Sequence, residues 1–256
     1  LAAVGVREVT LIGQNVNSYR GGCGFPELLR RAAAVPGLER VRFTTSHPHD
    51  LSDELVDVFR DEPRVMPHFH LPVQSGSDAV LARMRRDYTV AEFMERHARL
   101  EAARPGLAIT TDFIVGFPGE TEEDFEASLA LLRRARFENS FSFAFSARPR
   151  TGAAQRLGSS PEWAEVPRQV AVERLERLQA RQREISAARL AEALGREVEV
   201  LLEGPAPDSP GEGVGRTPEN RLVHVDLGGR ERRPGDLLRV RVTRAGASSL
   251  GGEALG

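Results

Sequence analysis

Short polar clusters close four apolar, strand-like runs. Gly13-Gln14-Asn15 follows residues 8–12, Thr44-Thr45-Ser46 ends the run at 41–45, Gln74-Ser75-Gly76-Ser77 follows 68–73, and Gly116-Phe117-Pro118-Gly119 follows 108–115. Amides, hydroxyls and a freed backbone at a strand end suit a ribose, a carboxylate or a phosphate. Past a fifth run at 139–146, Arg148 and Arg150 add two guanidiniums able to pair with an acid or receive phosphate. None of these clusters joins a nucleophile to a base. All 35 basic residues are Arg, which excludes Schiff-base chemistry, a P-loop lysine and a carbamylated-lysine metal bridge. A polar rim without its own nucleophile reads as a binding surface whose reactive part is a cofactor. Each cluster taken singly is equally a plain strand-to-helix connection.

Two histidine pairs invite a metal reading: His47-x-His49, and His68-x-His70, whose two side chains share one strand face. Against it, Pro48 separates the first pair, no helical His-x-x-Glu ligand is present, and buried histidines usually bond to neighbours. A metal-dependent hydrolase barrel stays open as an alternative. The one cysteine, Cys23, sits in a Gly-rich loop, so neither an internal disulfide framework nor a multi-thiolate metal site is available.

The elements that must position the rim are legible around residues 112–125. A β-branched strand ends at two glycines and a proline, and Thr121 then caps a helix with Asp124 completing a capping box. That helix carries Phe125, Leu129 and Leu132 at helical spacing. The same alternation gives strands at 8–12, 41–45, 68–73, 108–115 and 139–146, with helices at 25–35, 52–60, 78–86, 89–104 and 122–136. Such regularity predicts a mostly parallel sheet or barrel with chemistry at the strands' C-terminal ends. Residues 161–194 read as one long helix ended by Gly195. Period-two alternation at 197–203, 215–225 and 237–243 then predicts a small antiparallel β-barrel. The expected division is 1–160 barrel, 161–195 bridging helix and 196–256 β-domain.

Composition is ordinary for a globular chain, 40% hydrophobic and 28% charged, and the net charge of −2 does not advertise nucleic acid. In the last domain ten acids face nine arginines, so its basic residues suit either an RNA surface or a solvated face. No apolar run approaches ~20 residues, and a cytoplasmic setting is expected. Leu1 in place of Met, with residues 1–5 resembling a helix end closed by glycine, suggests a start inside a larger protein.

The motifs GQNVNSY (residues 13–19), RFTTSHP (42–48), HLPVQSGSD (70–78) and DFIVGFPGET (112–121) together resemble the MiaB-like tRNA methylthiotransferases, which are radical S-adenosylmethionine (SAM) enzymes. The tail, with LLEG (201–204), GRTPENR (215–221) and VHV (223–225), is similar to their tRNA-contacting TRAM domain. The resemblance implies an α/β fold: a partial (β/α)6 TIM-like barrel lacking its first strand, followed by an OB-like β-barrel. It implies a methylthio transfer to a modified adenosine beside the anticodon. It places Gln14 at the methionine end of SAM with Asn15 and Thr45 nearby, and Gln74, Ser75 and Ser77 near the ribose or carboxylate. Ile114, Val115 and Gly116 would support the adenine, and Arg148 belongs to a family S-x-R-P-G-T pattern in which Arg150 here replaces glycine. Arg216, Arg221, His224 and Arg241 would contact the tRNA anticodon stem–loop. The family's 4Fe–4S cluster needs a CxxxCxxC loop and further cysteines that this chain lacks. The chain is therefore expected to be the inactive C-terminal part of an enzyme that works as a monomer, with a barrel edge prone to association. A non-catalytic RNA-binding module is the first alternative, ahead of the hydrolase.

Overall fold

A computed structural model describes residues 1–44, 48–207, 209 and 211–255. Strands β1 (Glu8–Leu11), β2 (Arg40–Phe43), β3 (His68–His70), β4 (Ala108–Val115) and β5 (Asn139–Ala144) alternate with helices α1 (Phe25–Ala33), α2 (Asp53–Asp61), α3 (Asp78–Arg83), α4 (Val90–Ala103) and α5 (Glu122–Ala135). β1 pairs with β2, β3 with β4 and β4 with β5, all parallel. Among the described residues a parallel bridge, Val41 to Val65, joins the two groups, so the five strands run in chain order as an open half-barrel. One edge of β1 pairs with nothing among the described residues.

Alternation along β2 explains why it is buried throughout. Phe43 packs among Phe25, Phe59 and Phe69 at ring separations of 4.9, 5.9 and 5.4 Å, on the helix side. Arg40 and Arg42 lie on the opposite, concave face and are only 1% and 5% exposed. What covers them is the second domain.

That domain is a closed five-stranded barrel of β6 (Glu197–Pro205), β7 (Glu212–Arg216), β8 (Leu222–Asp226), β9 (Leu237–Ala245) and β10 (Leu250–Ala254). Four pairings are antiparallel, and β8 with β10 closes the ring in parallel. β10 escaped the sequence reading because Gly251 and Gly252 carry no β-propensity. Residues 215–225, read as one run, are the ends of two strands joined by a turn in which Asn220 adopts a positive φ of 70°.

A short helix α6 (Gly152–Arg156) and a long α7 (Arg168–Ala191) lie between the domains. Here the expected single helix over 161–194 is corrected. Residues 161–163 form a separate 3-10 turn, and α7 begins only after Pro167, whose ring disfavours helical backbone at Val166. α7 covers β5 and α5 and reaches β9. Its buried face includes Arg174 and Gln182 beside Leu178 and Leu190, which blurs its apolar periodicity. The capping box of Thr121 with Asp124 and the Ser52 cap form as expected. Residues 2–4 form a 3-10 turn closed by Gly5 in the left-handed region, in line with the helix-end reading.

Candidate functional site

The loops after β3 and β4 are built into each other. The Gln74 amide donates to the Asp112 carbonyl at 2.8 Å, and the Ile114 amide donates to the Gln74 carbonyl at 2.9 Å. These two bonds hold Gln74 at a φ of 74°, which a side-chain-bearing residue adopts only when its surroundings over-determine it. Its side chain is buried, and the side-chain carboxamide makes no hydrogen bond among the described residues. Gly76 lies so close to α5 that an added Cβ would stand 2.5 Å from the Ala127 carbonyl oxygen, and its amide donates to Ser128 Oγ at 2.9 Å. Ser75 is fully buried, and its Oγ accepts from the Ser77 amide at 3.2 Å. Ser77 caps α3 and donates its hydroxyl to Asp124, tying this loop to the capping box of α5.

After β4 the chain turns at Gly116, whose φ is 69° and whose missing side chain admits Ala171 of α7 at 2.6 Å from an ideal Cβ position. The Gly116 amide donates to Glu120 Oε2 at 2.6 Å, and the same oxygen receives Arg174 Nη1 at 2.8 Å. Burial pushes the Glu120 carboxyl up, against the opposing pull of the Gly116 amide and Arg174. Sequence reasoning passed over Glu120, although its place at the end of GFPGE was a usable signal. Ile114, Val115 and Gly116 therefore share one rim with Gln74, Ser75 and Ser77.

The remaining rim residues are looser. Gln14 is exposed beyond β1. Asn15 donates to Asp50 Oδ2 at 2.7 Å, while its own Oδ1 is buried without a partner. Thr45 and His47 lie outside the described residues. Arg148 is exposed, and its carbonyl accepts from the Thr151 hydroxyl at 2.8 Å. Arg150 takes a φ of 68°, so the turn keeps the backbone that glycine would supply although a bulkier residue stands there.

The opposite ends of the strands meet the small barrel through a dense arginine seam. Arg40 donates to the Arg216 carbonyl at 2.7 Å and to Glu199 at 2.9 Å. Arg42 donates to the carbonyls of Thr217 and Pro218, each at 2.8 Å. Glu138, just before β5, holds Arg221 at 2.7 Å and Arg189 of α7 at 2.6 Å. Burial works to raise the Glu138 carboxyl, but the two arginines outweigh it and hold it below the usual range. Arg221 is thus engaged within the protein. Arg216 pairs with Glu203 at 3.0 Å, and Arg241 with Glu197 at 2.8 Å. His224 lies half-buried on β8. Arg244 is exposed and makes no ion pair among the described residues.

His68 and His70 do share the concave face. His70 Nδ1 lies 3.0 Å from Thr110 Oγ1, and burial, with Arg42 and His70 nearby, lowers His68 to about 4. No group of three or more His, Cys, Asp or Glu that could hold a metal occurs among the described residues. With one cysteine in the chain, an iron–sulfur cluster does not fit the residues present. SAM fits better: the rim offers a buried, unengaged amide at Gln74 and an orphaned carbonyl oxygen at Asn15.

Residues 1–132 match the profile of the Radical SAM superfamily, and residues 192–255 match the TRAM domain. A tRNA-2-methylthio-N(6)-dimethylallyladenosine synthase of Anaeromyxobacter sp. (strain Fw109-5) is 74% identical over 98% of this chain and 55% of its own length. The protein of the same name from Myxococcus xanthus is 56% identical over 99% of this chain and 54% of its own length. The chain spans about half the length of the curated relatives it matches. A solved coproporphyrinogen III oxidase from Escherichia coli, 15% identical, covers 90% of this chain and 55% of its own at a TM-score of 0.42, too low to build on.

Proposed function

The chain belongs to the radical SAM superfamily, and from that membership we propose that it is the barrel-and-TRAM portion of a tRNA methylthiotransferase. The enzyme adds a methylthio group to a modified adenosine beside the anticodon. The observation that carries this reading is the 74% identity over 98% of the chain to a tRNA-2-methylthio-N(6)-dimethylallyladenosine synthase. The rim would hold SAM through Gln74, Ser75 and Ser77 on one side and Ile114, Val115 and Gly116 on the other, with Gln14, Asn15, Thr45 and Arg148 closing around it. When bound, SAM supplies the reactive chemistry that the rim's own side chains lack. The 4Fe–4S ligands must come from outside this sequence, so the chain by itself is catalytically inactive.

The TRAM domain would meet the anticodon stem–loop of tRNA through Arg216, Arg221, His224 and Arg241. Of these, Arg221 would have to give up Glu138 to reach a phosphate, so Arg241 and His224 carry more of the contact. No helix among the described residues is long and apolar enough to cross a membrane. We place the enzyme in the cytoplasm, as a monomer, working on tRNA.

Thermal unfolding of the chain with and without SAM tests the reading. A SAM-dependent rise in Tm, abolished by Gln74→Ala, is expected. No rise for the wild type overturns the cofactor assignment and leaves an RNA-binding module.

A further inference from the structure

A cavity of about 730 Å³ lies between the concave sheet face, α7 and the β7–β8 turn of the small barrel. It runs along the concave face from Thr44 and His70, at the C-terminal ends of β2 and β3, to Glu138 and Asn139 at the start of β5, and no residue of the Gln74 and Gly116 loops lines it. Its volume falls in the range of small-molecule sites, roughly 300–1,000 Å³.

Its walls are chemically unusual for a domain seam. Two of the charged groups there, Glu138 and Arg221, already satisfy each other. The neutral groups do not: Asn139, Gln179 and His68 line the cavity without a hydrogen bond to their side chains among the described residues. Gln182 donates its amide to the Phe137 carbonyl and to Ser186, but its Oε1 is buried with no partner, in a residue only 3% exposed. A buried amide oxygen left unpaired costs free energy unless something fills the role. Phe141 lines the same space, 53% exposed although it lies on a barrel's inner face, and touches His70 edge-on at 6.0 Å between ring centres. Arg183 supplies one cation that is free of any ion pair among the described residues.

An aromatic face, a set of neutral amide donors and acceptors, and one arginine match the face and edge of a nucleotide's base and its phosphate. Bases stack on aromatic rings, asparagine and glutamine pair with base edges, and arginine takes phosphate. We propose that this cavity is a second nucleotide site, receiving one unpaired nucleotide of the RNA with its base against Phe141. The proposal rests on the RNA reading above and adds a contact made by the barrel and α7 as well as by the TRAM domain.

The test uses the whole chain, a stem–loop RNA carrying 2-aminopurine at successive loop positions, and adenosine 5′-monophosphate as a free probe. Phe141 is exposed, so Phe141→Leu keeps the fold while removing the stacking face, and Gln179→Leu removes an amide. The expected result is quenched fluorescence at one loop position, binding weakened about tenfold by Phe141→Leu, and competition by the mononucleotide. Equal RNA affinity and unchanged fluorescence in both variants would overturn the site while leaving the RNA reading intact. Failure of the RNA to bind, with the mononucleotide still held by the wild type and lost in the variants, would keep the site and sink the RNA reading. Failure of both probes to bind the wild type overturns the site and the RNA reading together.

Discussion

The two ends of the same five strands are held together by opposite means. At the C-terminal rim the chain relies on backbone: glycines that allow close approach, a strained Gln74, and helix caps at Ser77 and Thr121. At the other end it relies on long charged side chains from three separate segments, β2, α7 and the β7–β8 turn, converging on Glu138 and on the carbonyls of residues 216–218. The rim leaves polar groups open for a ligand. The seam satisfies its buried charges internally and leaves neutral groups and the Arg183 cation open. Backbone-built sites are therefore rigid and recognisable as motifs, whereas side-chain-built seams are strong but leave no contiguous signature.

The sharpest way to break this contrast is Glu138→Ala. It leaves Arg189 and Arg221, 14% and 15% exposed, without their buried partner, and is expected to cost about 3–5 kcal/mol in denaturant unfolding. A loss below 1 kcal/mol would mean that the seam is not what fixes the domains together.

Acid should act on the same end. His68 titrates at about 4 in the fold against 6.5 unfolded, so the unfolded chain takes the proton first. Stability is then full above about pH 6.5 and falls as pH drops toward 4, by roughly 3 kcal/mol at most. Glu138, with its carboxyl below the ordinary range, works in the same direction, its contribution fading as pH falls through its folded value. His68→Gln should flatten the pH dependence of unfolding between 6.5 and 4. An unchanged slope would remove His68 from the account.

At the rim, Gly76→Ala drives a methyl against the backbone of Ala127 and Ser128 and is expected to cost about 1–3 kcal/mol. Ser77→Ala removes a helix cap and the tie to Asp124, a loss of about 1 kcal/mol. The smallest effect runs the other way. Arg150→Gly relieves a side-chain-bearing residue at positive φ and should raise stability by up to about 1 kcal/mol. Calorimetric Tm values rank the three variants, and a destabilised Arg150→Gly would mean that its guanidinium makes a contact worth more than the turn's strain.

Much of the rim was legible beforehand, because strand ends, glycine turns and capping boxes are local and repeat along the chain. The βα alternation, the Thr121 cap and the polar loops at 74–77 and 116–119 needed only neighbours within a few residues. Even there Glu120 was missed, since its partner Arg174 lies 54 residues away on another helix. The seam was illegible for the same reason magnified. Nothing local marks Arg40 or Arg42 as buried, and alternation alone would put them in water. Arg221 read as an RNA contact because its partner Glu138 stands 83 residues earlier.

From sequence alone follow the half-barrel, the small β-domain and the likeness to radical SAM methylthiotransferases, all of which rest on short-range pattern. Tertiary structure decided which arginines face solvent and where a cavity opens between the domains. Such outcomes depend on burial and on pairing across distant segments, and a charge costs free energy to bury unless its partner is there to meet it.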